Sequence, residues 1–243
     1  MSLYLQFMSN DSLLNQATNI SQFFFFIKSN IVAPKAFNFA YFKYRILRPI
    51  LKGYYKFFNV FYPGRPWTTP ASILFFEKAL NKDMIGLEYG SGRSTLYFAQ
   101  KLKKLVSIEH YQGWHNKVKK ELEVKEINNV DYFLILKENT PDAIEDIDTE
   151  LDKLEGSEPR NDFVNYYNKV NEYPDGYFDF ILIDGRARVK CGLNAMKKVK
   201  SGGIFVLDNS ERKRYAPLRN ALKDWPQVNT TTGLTNTTIW IKP

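Results

Sequence analysis

The chain has little cysteine and little histidine, and both shortages limit its chemistry. Its 243 residues include one cysteine, Cys191, so no disulfide can form within the chain. The fold therefore cannot depend on internal oxidation, which fits a reducing compartment. Two histidines, His110 and His115, leave a site with little acid–base machinery.

Long hydrophobic runs are also missing. The longest aromatic run, residues 23–27, is flanked by Gln22 and Lys28, and it is far shorter than the roughly 18–20 apolar residues that cross a bilayer. Residues 1–16 lack the basic segment and long apolar stretch of a secretory signal. We therefore expect a cytoplasmic protein, with attachment to a membrane surface left open.

Acidic residues are scarce at the N-terminus. The net charge is +8, from 34 Lys and Arg against 26 Asp and Glu. Residues 1–63, here called the N-terminal arm, hold seven Lys and Arg but one acid, Asp11, so the basicity belongs to this arm. Such an excess favours anionic partners: nucleic acid, an acidic membrane surface, or phosphorylated or carboxylated substrates.

Residues 41–60 of the arm have the spacing of an amphipathic helix, which Pro49 is predicted to start or to kink. Basic residues recur at steps of three or four on one face: Arg45, Arg48, Lys52 and Lys56. An apolar stripe lies beside them: Leu47, Leu51, Tyr54 and Phe58. The helix either packs on the main domain with a solvated basic edge or contacts a membrane surface; nucleic-acid contact is a third hypothesis.

Apolar runs alternate with helical patterns through the main domain, residues 64–243. The predicted strands are 84–89, 105–110, 130–136, 177–184 and 202–209, and helices are expected over 71–80, 94–104, 116–126 and 189–200. This alternation predicts an α/β, Rossmann-like, doubly wound sheet that is mostly parallel. The β-rich runs around Gly233 predict a closing antiparallel hairpin. Residues 137–176 are predicted to form a helical insertion.

A glycine-containing turn follows the first predicted strand. Gly90 and Gly92 allow a tight turn and the close approach of a ligand. A dinucleotide-binding fingerprint would place a third glycine where Thr95 stands. Glu88 would also repel a pyrophosphate, but it can pair with an amino group. Glu109 ends the next strand, where an acid can accept hydrogen bonds from ribose hydroxyls.

These residues resemble the class I S-adenosylmethionine (SAM)-dependent methyltransferases. The resemblance covers residues 65–243 and is nearest to the small-molecule O-methyltransferase-like branch, often labelled methyltransferase 24, through the segments LEYGSGRSTLYFA, FDFILIDGRARVKC and GGIFVLDNSERKRY. It implies a seven-stranded sheet of order 3-2-1-4-5-7-6 with strand 7 antiparallel. It also implies a SAM site formed by Glu88, Tyr89, Gly90, Ser91, Gly92, Ser94, Glu109, His110 and Asp184.

Asp184, Asp208 and Asn209 end the fourth and fifth core strands, so their oxygens are candidate ligands for Mg²⁺ or another divalent cation. The trio is similar to the metal site of cation-dependent catechol-type enzymes, and Asp184 is the candidate catalytic residue. The chain departs from those enzymes at Ala187, where they have a lysine base. The alternative is that both aspartates pair with nearby arginines and no metal is bound.

Four residues are candidates for the acceptor site: Trp67, Arg186, Arg188 and Tyr215. The arginine forks suit an anionic small molecule; for Trp67 and Tyr215, packing is the alternative. We therefore expect SAM-dependent methyl transfer to oxygen of a small-molecule or glycan-like acceptor. A SAM-binding module docked on a membrane or partner, and a nucleic-acid methyltransferase, are the alternatives. The latter is disfavoured because residues 184–187 lack the Asp/Asn-Pro-Pro-aromatic run of amino-methylating enzymes.

Overall fold

The computed structural model describes residues 39–138 and 161–243. Predictions that concern residues 1–38 and 139–160 lie outside the described residues. Within the described ranges, no helix is long and apolar enough to span a bilayer.

Seven strands form one sheet, whose order β3-β2-β1-β4-β5-β7-β6 confirms the expected order. Strands β1 to β5 pair in parallel, and β7 runs antiparallel to both β5 and β6. The predicted hairpin is confirmed as β6 and β7. The strands are β1 (Ile85–Tyr89), β2 (Lys104–Glu109), β3 (Val130–Leu134), β4 (Phe178–Ile183), β5 (Val199–Asp208), β6 (Gln227–Thr231) and β7 (Asn236–Ile241).

The central strands are apolar on both sides because each face of the sheet carries its own core. In β4, Ile181 and Ile183 belong to one buried cluster with Trp240, while Phe180 and Leu182 belong to the other cluster. Side chains alternate across a strand, so a continuous apolar run fills both clusters.

The described residues form seven α-helices, two of which precede β1. They are α1 (Phe39–Phe61), α2 (Pro70–Ala79), α3 (Arg93–Lys101), α4 (Gln112–Val124), α5 (Val164–Asn168), α6 (Arg188–Ala195) and α7 (Ala216–Ala221). Helix α2 begins after Thr69, whose side chain accepts a hydrogen bond from the Ser72 N–H, with Pro70 in the first turn, where its missing N–H costs nothing.

Helix α1 differs from the prediction in where it begins. Pro49 lies inside a helix that already starts at Phe39, so it does not start the helix. Three of the four residues of the predicted apolar stripe face the protein. Phe58 packs against the second core cluster, and Leu47 and Leu51 are half-buried, whereas Tyr54 is exposed.

The described end of the predicted insertion is helical. Two 3₁₀ turns, Asn161–Phe163 and Lys169–Glu172, flank α5. Three of its apolar side chains, Phe163, Tyr166 and Val170, are buried in the first core cluster. This segment therefore covers the sheet near the ends of β1 and β4.

Candidate functional site

The turn after β1 lies against the turn after β4. Gly90 has φ +90°, and a Cβ atom there would come within 2.7 Å of the Gly185 backbone. A Cβ atom on Gly185 would in turn clash with the Tyr166 hydroxyl. Glycine is needed at both positions because two backbones approach closely, and at Gly90 also because its φ is left-handed. A Cβ atom on Gly92 would meet only Trp114, at an ordinary contact distance.

Ser91 is held from three directions, which fixes residues 90–92, the glycine turn. Its N–H and hydroxyl donate to Glu109 Oε2 at 2.9 and 2.8 Å, and its Oγ lies 2.6 Å from the Tyr132 hydroxyl. The Trp114 indole N–H donates to the Ser91 carbonyl at 2.6 Å. The turn is therefore tied to β2, β3 and α4 as well as to β1.

Glu109 is a buried, ionised acceptor. Its Oε1 accepts from the N–H groups of His110 and Tyr111 at 2.8 and 2.9 Å, and Oε2 accepts from Ser91. Burial alone would raise the pKa of Glu109. The His110 ring, whose Nδ1 lies 2.9 Å away, and these backbone donors outweigh burial and lower that pKa to about 2. Four donors fill the carboxylate, so a ribose hydroxyl would have to displace the Ser91 hydroxyl.

Glu88 is fully buried beneath the glycine turn. Its Oε1 accepts hydrogen bonds from Thr95 and from Ser107, the latter at 2.7 Å. Thr95 Oγ1 also accepts from the Gly92 N–H at 3.0 Å. Burial raises the pKa of Glu88 to about 7, although three hydroxyl donors, those of Thr95, Ser107 and Ser94, oppose this shift. Its Oε2 is buried and has no hydrogen-bond partner.

Arg93 lies at the start of α3, on the far side of the same turn. Its guanidinium lies over the Trp67 ring, 5.1 Å from the centroid, and its Nη1 is buried without a hydrogen-bond partner. The half-exposed Trp67 stacks on Trp114 at 6.4 Å, and Lys117 lies over Trp114 at 4.6 Å. Trp67 thus borders the glycine turn.

Arg188 joins the ends of β4 and β5. It is buried, its Nη2 lies 2.9 Å from Asp184 Oδ1, and its Nε and Nη1 donate to the carbonyls of Gly185 and Asp208 at 3.0 and 2.5 Å. Asp208 is buried and accepts from the Thr237 hydroxyl at 2.7 Å. Burial, then the charge of Asp184, raise the pKa of Asp208.

This arrangement does not fit the predicted divalent cation. The Arg188 guanidinium is paired with Asp184, and a metal ion would add a second cationic group there. The Asn209 amide donates to Thr235 at 2.8 Å. Within residues 39–138 and 161–243, no group of three or more His, Cys, Asp or Glu is placed to hold a metal ion. The geometry matches the arginine-pairing alternative for Asp184 but not for Asp208, because Arg188 reaches only the backbone carbonyl of Asp208 and the Asp208 carboxylate accepts from Thr237.

The other predicted site residues divide into core and edge positions. Tyr215 is buried between two guanidinium groups, those of Arg188 and Arg214, so it packs rather than lining an open pocket. Arg186 and His110 are half-buried, and the His110 ring meets Phe163 edge-on at 5.5 Å. Tyr89 and Ser94 are buried on either side of the glycine turn.

Tyr55 of α1 was not predicted at this site. Burial raises its pKa to about 12, and the charges of Asp208 and Asp184 add to the rise. The hydroxyl is therefore within electrostatic reach of both aspartates at the ends of β4 and β5. Helix α1 thus reaches the carboxyl edge of the sheet, where the glycine turn also lies.

Three further contributors were missed for different reasons. Thr95 was interpreted only as a departure from a dinucleotide fingerprint, yet its hydroxyl links Glu88 to the turn. Ser107 lies opposite Glu88 in the β1–β2 register, a pairing that the predicted strand bounds could have indicated. Trp114 gave no signal in the sequence, because its contact depends on how α4 packs.

No protein-family model matches the chain, and no curated protein matches it in sequence. Solved structures do match. A methyltransferase-like protein from Silicibacter pomeroyi is 20% identical, with TM-score 0.52, over 74% of this chain and 89% of that one. A Streptococcus mutans protein assigned as a methyltransferase, solved in complex with S-adenosylhomocysteine (SAH), is 12% identical, with TM-score 0.50, over 73% of this chain and 100% of that one. An rRNA methylase from Streptococcus thermophilus is 11% identical, with TM-score 0.50, over 73% and 99%. The chain therefore has the fold of class I SAM-dependent methyltransferases.

Proposed function

We propose that the glycine turn binds SAM and that the protein transfers the SAM methyl group. One observation carries the proposal. Two buried atoms, the acceptor Glu88 Oε2 and the donor Arg93 Nη1, belong to residues on either side of the turn, and neither has a hydrogen-bond partner among the residues that the structure describes. Buried polar groups are normally paired. The amino-acid end of SAM supplies an ammonium for the carboxylate and a carboxylate for the guanidinium.

The nucleoside end of the ligand would meet Glu109. We propose that a ribose hydroxyl replaces the Ser91 hydroxyl on Oε2, while the Ser91 Oγ keeps its contact with Tyr132. The lowered pKa of Glu109 keeps the acceptor ionised at neutral pH. His110 lies next to this carboxylate, and it is the proposed contact for the adenine.

SAM supplies an activated methyl group on a sulfonium, so the protein has to position and desolvate rather than supply strong acids or bases. Arg188 holds the partly exposed Asp184 carboxylate at the edge of the site. Tyr55 and Trp67 border the same edge of the sheet and are the proposed acceptor contacts.

We propose an oxygen of a small-molecule or glycan-like compound as the acceptor. The exposed Trp67 ring offers a stacking surface for such a compound, and Arg186 is the proposed contact for an anionic group on it. Two alternatives are kept: a nucleic-acid acceptor, and SAM binding without turnover. A divalent cation is not part of the proposal because the Asp184–Arg188 pair does not fit one.

The test follows labelled methyl from SAM into separated pools of small molecules, glycans and RNA, with and without a chelator. We expect label in the small-molecule or glycan pool, with no dependence on chelator. Label in RNA alone would overturn the proposed acceptor, and loss of activity in chelator would overturn the metal-free site. Calorimetry that detects NAD binding but no SAM binding would overturn the function itself.

A further inference from the structure

Within the described residues, helix α1 has one face that packs on the protein and a second face whose side chains are largely exposed. The packing face consists of half-buried side chains: Leu47, Leu51, Tyr55 and Phe58. Phe58 packs against the second core cluster. The helix is therefore attached along one side.

The exposed face is apolar along the length of the helix. Seven large apolar side chains are exposed by between 40% and 73%: Phe42, Ile46, Ile50, Tyr54, Phe57, Val60 and Phe61. From Phe42 to Phe57 they recur at steps of three or four, so they share one side of the helix. Scattered exposed apolar residues need no explanation, but a continuous stripe indicates a binding surface.

Basic side chains border this stripe. Arg45, Lys52 and Lys56 are exposed and Arg48 is half-buried. At 3.6 residues per turn, these four positions lie between the packing face and the apolar face. The helix sequence contains no Asp or Glu. An apolar face beside a purely basic one is complementary to a surface that is both apolar and negatively charged.

We propose that α1 docks the protein on an anionic lipid surface, with its apolar stripe in the headgroup–acyl boundary and its basic border against the phosphates. Aromatic side chains such as Phe42 and Phe57 suit the interface, and lysine and arginine reach from the border to the headgroups. With 23 residues, α1 would lie along about 34 Å of surface. It lies on the bilayer rather than across it.

The charge on α1 argues against the other occupants of such a face. A second copy of the chain would bring two basic borders together with no acid on α1 to pair with them, which costs free energy. A nucleic acid would meet the charges but would leave aliphatic side chains such as Ile46 and Ile50 without an apolar partner. An anionic bilayer satisfies both the apolar and the basic side chains.

The test is flotation of the full chain with vesicles of phosphatidylcholine alone or with about one third phosphatidylglycerol. We expect binding to the anionic vesicles and little binding to the neutral ones. The double variant Lys52→Gln/Lys56→Gln should weaken binding by about 25-fold, since each lysine near an anionic surface contributes about five-fold. The double variant Ile46→Ser/Phe57→Ser should weaken it by more than ten-fold.

The matched control is Lys119→Gln/Lys120→Gln, which removes two exposed lysines from α4 and should leave binding unchanged. Circular dichroism and thermal unfolding of each variant check that the fold is kept. Failure of the wild-type chain to bind anionic vesicles would overturn the proposal. An equal effect of the α4 control, or a dimer that Ile46→Ser/Phe57→Ser dissociates, would overturn it as well. Neither vesicle binding nor its loss requires SAM, so this result is separate from that of the methyl-transfer test.

Discussion

At the scale of single residues, Glu88 is a buried side chain that is also a proposed ligand contact. The side chain is fully buried, and one oxygen has no hydrogen-bond partner. Leaving a buried acceptor unpaired costs about 1–3 kcal/mol. The fold carries this cost at the turn where the proposed cofactor would supply an ammonium.

The pH dependence of stability should report this burial. The pKa of Glu88 is about 7 in the folded protein, above its ordinary value of about 4.3. The folded state therefore holds the proton more tightly, so the contribution of Glu88 to the free energy of unfolding falls as pH rises from about 4.3 to about 7. Glu88→Gln removes this loss, and by pH 8 it should gain as much as about 3 kcal/mol relative to wild type.

Urea unfolding of both proteins between pH 4 and 8 checks this prediction. Glu123→Gln, at an exposed position on α4, is the control and should follow the wild-type curve. A constant difference between wild type and Glu88→Gln across the pH range would contradict the buried, proton-binding Glu88.

The sequence located several site residues but not their hydrogen bonds. Glu88 and Glu109 were placed at two strand ends, which is where they lie. The hydrogen bonds around these acids were not predicted, because Ser107 reaches Glu88 through strand register and Trp114 reaches the Ser91 carbonyl through helix packing. Arg188 was predicted to bind an acceptor, but its nitrogens are engaged with Asp184 and two carbonyls.

At the scale of elements, the site depends on two strand-to-helix turns that touch. Gly90 and Gly185 bring the ends of β1 and β4 into backbone contact, and the Asp184 N–H donates to the Tyr89 carbonyl at 2.9 Å. This contact determines how far apart the glycine turn and Asp184 lie. Neither strand alone could set that distance.

Two glycine substitutions distinguish the loss of stability caused by close packing from the loss caused by backbone strain. Gly90 and Gly176 both have positive φ, but a Cβ atom on Gly176 meets nothing within 4 Å. Gly176→Ala should cost about 1–2 kcal/mol of unfolding free energy, from the left-handed backbone alone. Gly90→Ala should cost about 1–3 kcal/mol more, because its Cβ overlaps the backbone of Gly185. Equal losses in urea unfolding would show that the two turns are not in contact.

Helix α1 illustrates what a local pattern can miss. The spacing of Arg45, Arg48, Lys52 and Lys56 predicted a helix, and the structure has one. Pro49 was predicted to start or to kink this helix, because a proline removes a backbone donor and is favoured in the first turn. The helix continues through this position, at the cost of one backbone hydrogen bond.

At the scale of the whole molecule, the order of the strands was predictable, but the side chains that meet at the carboxyl edge of the sheet were not. Alternating strand and helix patterns, together with the family resemblance, gave all seven strands in their observed order. The contacts over the carboxyl edge could not be predicted from local patterns. Trp67 and Tyr166 lie near the glycine turn, and Tyr55 is within electrostatic reach of Asp208 and Asp184, although the three residues come from distant parts of the chain.

The central claim is that Arg93 and Glu88 hold the amino-acid end of SAM at the glycine turn. Titration calorimetry with S-adenosylhomocysteine and 5′-methylthioadenosine, which lacks that end, tests it most directly in wild type, Arg93→Met and, as a control, Lys117→Met. Arg93→Met should weaken S-adenosylhomocysteine binding by about 10- to 100-fold, the value of a charged hydrogen bond, and leave methylthioadenosine binding unchanged. Equal losses for both ligands, or no loss for either, would contradict the claim.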